Sequence, residues 1–533
     1  MAAQSPRRRR AGSAAPRQLV VLLHAHLPDC QRPEHPASLE ETWFFEALTE
    51  SYLPLVRMLD RLTRDGVAAR LTLSVSPTLI CMLGDPALRE RYSRRLAATE
   101  QLARQDARAA AGKHRELAEW HAEFFREMGQ LFETRCRGDV LGALGEFQSA
   151  GLVELATTAA THAFLPAHQG HPTTVRAQIG VGLDTFADAI GVRPTFFWLP
   201  ECGYYPGLET AAGAFGLRCF GLETHGVTQA QPPPPRGVRA PVRCPGGALA
   251  LGRDGEISRR VWSATEGYPG HPDCREFHRD RIHAMDEAAL AGWPGGGAHR
   301  IPAGLKYWRV TGAQEAKDWY DPAEAAARAR VQARDFVTRL AAAPENSGIW
   351  FAPFDAELFG HWWFEGPLWL EEVFRVLAGE KTVAPATATR AAEACATPYP
   401  AQPAPSSWGL AGDYSFWVNR DTAWLYPQLD AAARRLEALV ARWESASPAG
   451  REGRALRQAA RTLLLAQASD WPFLIKAATA GEAAVARVTG LLARLSGLCA
   501  ALESGAVDEA ELQRCEATDL AFPRLDLRWF RPE

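Results

Sequence analysis

Glu201 closes an apolar run, Phe196-Phe197-Trp198-Leu199-Pro200, inside the segment FFWLPECGYYPG of residues 196–207. Four large apolar residues in succession read as a buried strand, and Pro200 stops its ladder because it carries no backbone N–H. The carboxylate then belongs at the carboxyl end of a strand, where parallel α/β sheets and barrels carry their chemistry. A competing reading makes Glu201 an acid in the first turn of the next helix. The segment 349–366, IWFAPFDAELFGHWWFEG, repeats the pattern: a short apolar run ends at Pro353-Phe354 and delivers Asp355, followed by Glu357, His361, Trp362 and Trp363. Two carboxylates at strand ends among aromatic side chains suit glycosyl transfer. One attacks an anomeric carbon while the other, kept protonated, donates to the leaving oxygen. Any one Trp reads as core; the clustering is what points to a sugar, whose axial hydrogens form an apolar face.

The elements that must hold these acids alternate between strand and helix. Residues 18–24 (QLVVLLH) and 69–76 (ARLTLSVS) are apolar runs ending in His24-Ala25-His26-Leu27-Pro28 and in Pro77, and both read as buried parallel strands. Between them lies a helix ended by Gly66. Residues 86–140 are charged and helix-forming, with an amphipathic stripe at Trp120, Phe124, Phe125 and Leu131, and read as a helical insertion. Strand character returns at 152–157 and leads into Thr161-His162-Ala163-Phe164-Leu165-Pro166. A helix over 173–190 feeds the Glu201 strand, and 217–223 reads as the next strand. The run Gln231 to Pro235 is a stiff polyproline loop, and the Pro- and Ala-rich stretch 384–405 reads as a domain boundary. Long Ala, Leu and Arg helices follow from Asp421, a bundle-like domain. The divisions expected are a disordered basic tail over 1–17, a β/α barrel over 18–85 and 150–395, a helical insertion over 86–149 and a C-terminal α-helical domain over 396–533.

The chain has 533 residues, too many for one ordinary core. A net charge of −3 leaves no electrostatic footprint for nucleic acid or anionic membrane. Ten cysteines scattered without a CxxC pair favour reduced thiols. The basic start has no apolar stretch of signal-peptide length, and no run reads as long enough to span a bilayer. These features predict a soluble cytoplasmic protein; a monomer or weak homo-oligomer, no cofactor and no metal are further expectations.

Taken together, HAHLP (24–28), THAFLP (161–166), WLPECGY (198–204), FDAELFGHWWFEG (354–366) and SWGLAGDYSFWVN (407–419) resemble glycoside hydrolase family 57, and within it the α-1,4-glucan branching enzymes. The likeness extends through VWSATEGYPG, REFHRD, GLKYWRVTG and ASDWPF (468–473), so it covers nearly all but the N-terminal tail. It implies an α/β fold with a (β/α)7 barrel, an incomplete TIM-like barrel, carrying a helical insertion and a C-terminal helical domain. It also implies a retaining enzyme with Glu201 as nucleophile and Asp355 as general acid/base. Substrate contacts are implied for His24, His26, His162, Arg253, Gly270, Trp408 and Asp470. Glu201 would bond to the anomeric carbon, and Asp355 would protonate the departing α-1,4 glucan and then deprotonate a glucan 6-hydroxyl, sealing an α-1,6 branch. Trp262, Trp408 and Trp417 are candidates for an aromatic acceptor platform. Two departures stand out: Asp29-Cys30 replaces an aromatic after HLP, and Arg236 stands where branching enzymes present a tyrosine that shields the intermediate.

Rival readings remain open at this level. Within the family an α-amylase or a 4-α-glucanotransferase uses the same acids. His24-x-His26 also resembles the start of metal-dependent amidohydrolase-type barrels, and a glucan-binding protein with a dead site is a third possibility. His361 reads as orienting Asp355 or packing in the wall, Cys202 as a small buried hydrophobe, Glu357 and Glu365 as structural acids, and Trp471 as core.

Overall fold

The structure, a computed structural model, describes residues 17–31, 38–291, 293–294, 300–312, 316–344 and 348–532. The expected N-terminal tail lies almost wholly outside them. Within them the chain is α/β with a mostly helical C-terminal region. Four strands form one parallel sheet in the order β3, β2, β1, β7, where β1 is Arg17–Ala25, β2 Leu71–Val75, β3 Val153–Ala156 and β7 Ile349–Asp355. A second sheet runs through β4 (Phe196–Phe197), β5 (Cys219–Leu222) and β6 (Leu249–Gly252), also parallel. Single parallel bridges join the sheets at both edges, Thr157 to Phe197 and Arg253 to Phe351. Every residue of β2, β5 and β6 is buried, the continuous apolar pattern of strands covered on both faces.

Local chemistry sets the helix starts. Ser38 accepts from Glu41 N at 3.2 Å to begin Leu39–Ala47, and Ser76 followed by Pro77 starts Pro77–Gly84. The helix expected after β1 contains Pro54, which cannot donate to the turn before it, and there the ladder widens into the π-turn Leu48–Tyr52. The expected insertion is an antiparallel pair, Pro86–Ala109 and Gly112–Gln130, with Val140–Ser149 after it. It packs on the long irregular stretch after 263, where His121 Nε2 meets Lys306 O at 3.0 Å and Tyr307 donates to Asp106 at 2.9 Å.

The stretch 384–405, expected as a domain boundary, is tied to the sheets: Val383–Pro385 pairs with β1, Tyr399–Pro400 pairs with Val242–Arg243, and Gln402 bridges to Gln231. Its prolines confine it to short edge pairings. One expectation needs correction: helix Gly481–Ser504 is long and apolar enough to cross a membrane by length and composition. Leu, Ala and Val supply that hydropathy; the helix packs against Leu425–Arg442 and Arg451–Ala466 through Val488, Leu491 and Leu495. All ten cysteines are free thiols.

Gly360 follows the turn after β7 at φ 119°, and a Cβ there would lie 1.7 Å from Glu50 O in the π-turn. Gly360→Ala is expected to cost about 3 kcal/mol, read as a lower urea midpoint. An unchanged midpoint would mean that this contact is not fixed.

Candidate active site

Strand register levels the rim. His24 at the end of β1 pairs with Ser74 of β2 on one side and with Asp355 of β7 on the other. Glu201 follows a short strand end and sits in a tight turn. Only Phe196 and Phe197 pair in a ladder; Trp198 continues extended, its N–H donating to Thr157 O at 2.9 Å and its carbonyl accepting from Thr158 Oγ1 at 2.7 Å. Pro200–Cys202 then forms a tight turn with Glu201 at φ 59°, ψ 23° and Cys202 at φ 51°. His162, facing it, has φ 55°. Left-handed backbone costs a non-glycine residue about 1–3 kcal/mol, so three such residues mark a place where aim outweighs local stability.

Both oxygens of Glu201 are held. Trp408 Nε1 donates to Oε2 at 2.7 Å and Ser469 Oγ to Oε1 at 2.8 Å. Glu201 is raised to about 7: burial drives the rise, the Trp408 and Ser469 donors oppose it in part, and the charges of Asp470 and Asp355 add to it. Burial also takes Asp355 up to about 6, opposed by Arg253 and His26. Two neutral donors face Glu201, whereas no described residue donates to Asp355, so hydrogen bonding favours the ionised form at Glu201 and not at Asp355.

His24, His26 and His162 stack beside this pair, with candidate ligand nitrogens within 4.8 Å of one another and His26 and His162 centroids 4.1 Å apart. Their nitrogens also meet one another and nearby polar groups. His24 Nε2 and His162 Nε2 hydrogen-bond to each other at 3.0 Å, His24 Nδ1 meets Ser74 Oγ at 3.3 Å, His162 Nδ1 meets Ser469 Oγ at 2.9 Å and His26 Nε2 meets Asp470 at 3.2 Å. His26 Nδ1 is the ring nitrogen of the three that is buried without a partner. Burial lowers His24 and His162 well below the usual histidine range; at His26 burial also acts downward, but Asp470 outweighs it and the net shift is upward.

The turn after Asp355 is clamped by the π-turn. Tyr52 donates to Glu357 Oε1, which also accepts from His26 N at 3.1 Å, and burial pushes Glu357 up to about 7. His361 is tied to Glu50, Nδ1 to Oε2 at 2.6 Å, and not to Asp355, while its N–H donates to Ser51 Oγ at 3.2 Å. Glu50 is buried but kept charged, far below the usual carboxylate range, by Lys306, Arg275 and His361.

Asp355 opens on a cavity of about 370 Å³ lined by Arg253, Trp262, Pro353, Phe354, Leu358, Trp362, Trp408, Gly409, Leu410, Phe416, Trp417 and Phe473. Of the expected contact residues, Arg253, Trp262 and Trp408 stand in this wall. Arg253 donates to Glu223 at 3.0 Å and stacks over Trp408 at 5.8 Å. Trp417 lines it too, but at 1 % exposure and stacked on Phe164 at 4.6 Å it is wall, not platform. His24 and His162 are buried with both ring nitrogens engaged, so they back Glu201 and do not offer free donors to a substrate. Asp470 reaches the site through His26, and Gly270 lies outside the cavity lining, packed against Ala264. Asp29 and Cys30 also leave the cavity wall alone; Asp29 pairs with Arg487 and Cys30 N–H donates to Met82 Sδ. Arg236 packs on Gly348, at the opposite end of β7 from Asp355, about 20 Å away along a strand of that length. Cys202 and Trp471 are buried, and Glu365 is held by Tyr320 and Arg275 N. Sequence reasoning missed Ser469, Leu410 and Phe473, and named Trp362 only within the aromatic cluster beside Asp355; Trp362, Leu410 and Phe473 are 44 %, 97 % and 41 % exposed at the cavity. Exposure has no local signature.

Comparison with known proteins agrees over both halves. The model described as glycosyl hydrolase family 57 matches residues 20–394, and that described as 1,4-alpha-glucan branching enzyme, C-terminal, matches 428–530. The chain is 32 % identical over 511 residues to the 1,4-alpha-glucan branching enzyme TK1436 of Thermococcus kodakarensis, covering 88 % of this chain and 71 % of that one. Among solved structures, the alpha-amylase AmyC of Thermotoga maritima matches with a TM-score of 0.90 and 33 % identity over 97 % of this chain and 99 % of that one. The crystal structure of TK1436, described as a GH57 branching enzyme, matches with a TM-score of 0.87 and 30 % identity over 97 % of each.

A carboxyl whose folded-state value is raised from 4.5 to about 7 binds its proton more tightly folded than unfolded, so its burial costs stability as pH rises through that window and nothing below it. Glu201→Gln is therefore expected to be more stable than the parent at pH 8, by up to about 3 kcal/mol, with the gain gone near pH 4. Unfolding midpoints at the two pH values test this; equal midpoints at pH 8 would mean that the two donors fully offset the desolvation.

Proposed function

The chain belongs to glycosyl hydrolase family 57, and on that premise we propose that it is a 1,4-α-glucan branching enzyme acting through Glu201 and Asp355. The carrying observation is that the segment matching the branching-enzyme C-terminal model, 428–530, supplies Ser469 to Glu201 and Asp470 to His26. In this reading Glu201 attacks the anomeric carbon while Asp355 passes its proton to the departing glucan oxygen. Asp355 then takes the proton of an incoming 6-hydroxyl, whose oxygen displaces Glu201 and forms the α-1,6 link. Retention of configuration follows from two displacements at one carbon.

Transfer competes with hydrolysis for the same intermediate. The exposed aromatic and aliphatic rim of Trp262, Trp362, Leu410 and Phe473 favours transfer, because it offers apolar faces to a glucan and none to water. With Arg236 far from the cavity, this rim takes over the shielding assigned to that loop. The AmyC likeness keeps the α-amylase reading alive as the second one. We also read the two sheets as one (β/α)7 barrel of β1 to β7; the bridges Thr157 to Phe197 and Arg253 to Phe351 support closure. The division into barrel, insertion over 86–149 and C-terminal helical domain is supported by the helix positions.

Incubation with amylose, followed by debranching and chain-length analysis, tests the reading. New α-1,6 links are expected, while reducing ends alone would favour the amylase. Glu201→Gln and Asp355→Asn should each lower transfer about 10³-fold or more with the fold retained. Near-parental transfer by either would remove that residue from the mechanism.

A further inference from the structure

Ser469 occupies the N-cap position of the helix Asp470–Ala477, where a serine ordinarily accepts from the helix's free N–H groups, yet its side chain makes no capping bond. Its hydroxyl is used elsewhere, between Glu201 Oε1 at 2.8 Å and His162 Nδ1 at 2.9 Å. The residue is 1 % exposed and is held in place by its own backbone, Ser469 N–H donating to His162 O at 3.3 Å beside the bridge of Ala163 to Ala468. We propose that Ser469 is a positioning residue for the nucleophile, the last link of a neutral hydrogen-bonded chain Ser74, His24, His162, Ser469 that ends on Glu201. This inference rests on the reading of Glu201 as nucleophile.

The direction of every link follows from the charge on Glu201. An ionised carboxylate only accepts, so the one hydroxyl proton of Ser469 points to Oε1. His162 must then donate to Ser469 from Nδ1. As a neutral ring it keeps a lone pair on Nε2, which accepts from His24 Nε2–H 3.0 Å away. His24, neutral in turn, accepts on Nδ1 from the Ser74 hydroxyl at 3.3 Å. No link needs a charged ring, in keeping with the burial of both histidines. Bonds aligned head to tail polarise one another and strengthen the final donor.

That donor matters most when Glu201 leaves the sugar. As the acceptor oxygen attacks the anomeric carbon, the bond from that carbon to Glu201 breaks with its electron pair going to the carboxylate, and the acceptor's proton goes to Asp355. Ser469 meets the returning charge with a hydrogen bond already aimed, so no reorganisation is required. The other donor, Trp408, also comes from beyond residue 395. Residues 20–394 therefore hold both acids but neither group that aims the nucleophile.

The test is steady-state transfer kinetics on amylose with the full-length chain carrying Ser469→Ala or Ser469→Thr. Ser469→Ala is expected to lower kcat about 10- to 100-fold with KM within about threefold, and Ser469→Thr, which keeps the hydroxyl, to recover most of that loss. Parental kcat in Ser469→Ala would overturn the proposal. So would a loss confined to KM, or an equal loss in both variants, since either marks a packing role. Should Glu201→Gln itself keep transfer, the reading of the nucleophile fails instead, a result separable from a normal Ser469→Ala alongside an inactive Glu201→Gln.

Discussion

A carboxylate buried at a left-handed turn is the constraint on which the rest depends. Glu201 is desolvated enough to prefer its proton, and what favours its ionised form is a pair of hydrogen bonds from residues 207 and 268 positions away in the chain. Burial raises the energy of the charge, and two aimed donors lower it again while fixing its direction. The backbone strain at His162, Glu201 and Cys202 fits the same picture: aim is held against local preference by packing around it. The helical C-terminal region is thus part of the site and not an appendage to it.

The second acid depends on a different device. Asp355 needs no unusual backbone, because strand register alone puts it beside His24. The turn that follows needs holding, and the π-turn at Leu48–Tyr52 does so with Glu50, Ser51 and Tyr52 in succession. One extra residue in a helical turn rotates neighbouring side chains out of helical phase, which lets three consecutive residues reach one loop. The buried Glu50 charge is matched by Arg275 and Lys306, so removing both cations would leave a buried carboxylate with no full counter-charge.

Much of this was legible in the residues. The two acids were, because a short apolar run ended by proline is a local pattern that marks a strand end wherever it occurs. Trp262, Trp408 and Arg253 stand in the cavity wall, whereas Trp417 is turned inward and Gly270 lies outside it. Arg236 was misplaced because loop position along the chain says little about which end of a strand the loop covers. Ser469 went unnoticed beside Asp470, since a serine before a helix has an ordinary reading as a cap.

The sequence by itself determined which segments are strands and helices, where the apolar runs stop, and hence which carboxylates stand at a sheet edge. Those properties live in patterns of a few residues, set by backbone donors, side-chain periodicity and proline. Only the tertiary structure decided which groups face the carboxylates, which aromatic rings remain in water, and which partners the ring nitrogens of His24, His26 and His162 meet. Burial and hydrogen-bond partnership join residues hundreds of positions apart, and the charge of a buried group is the sum of those distant neighbours, which no local pattern contains.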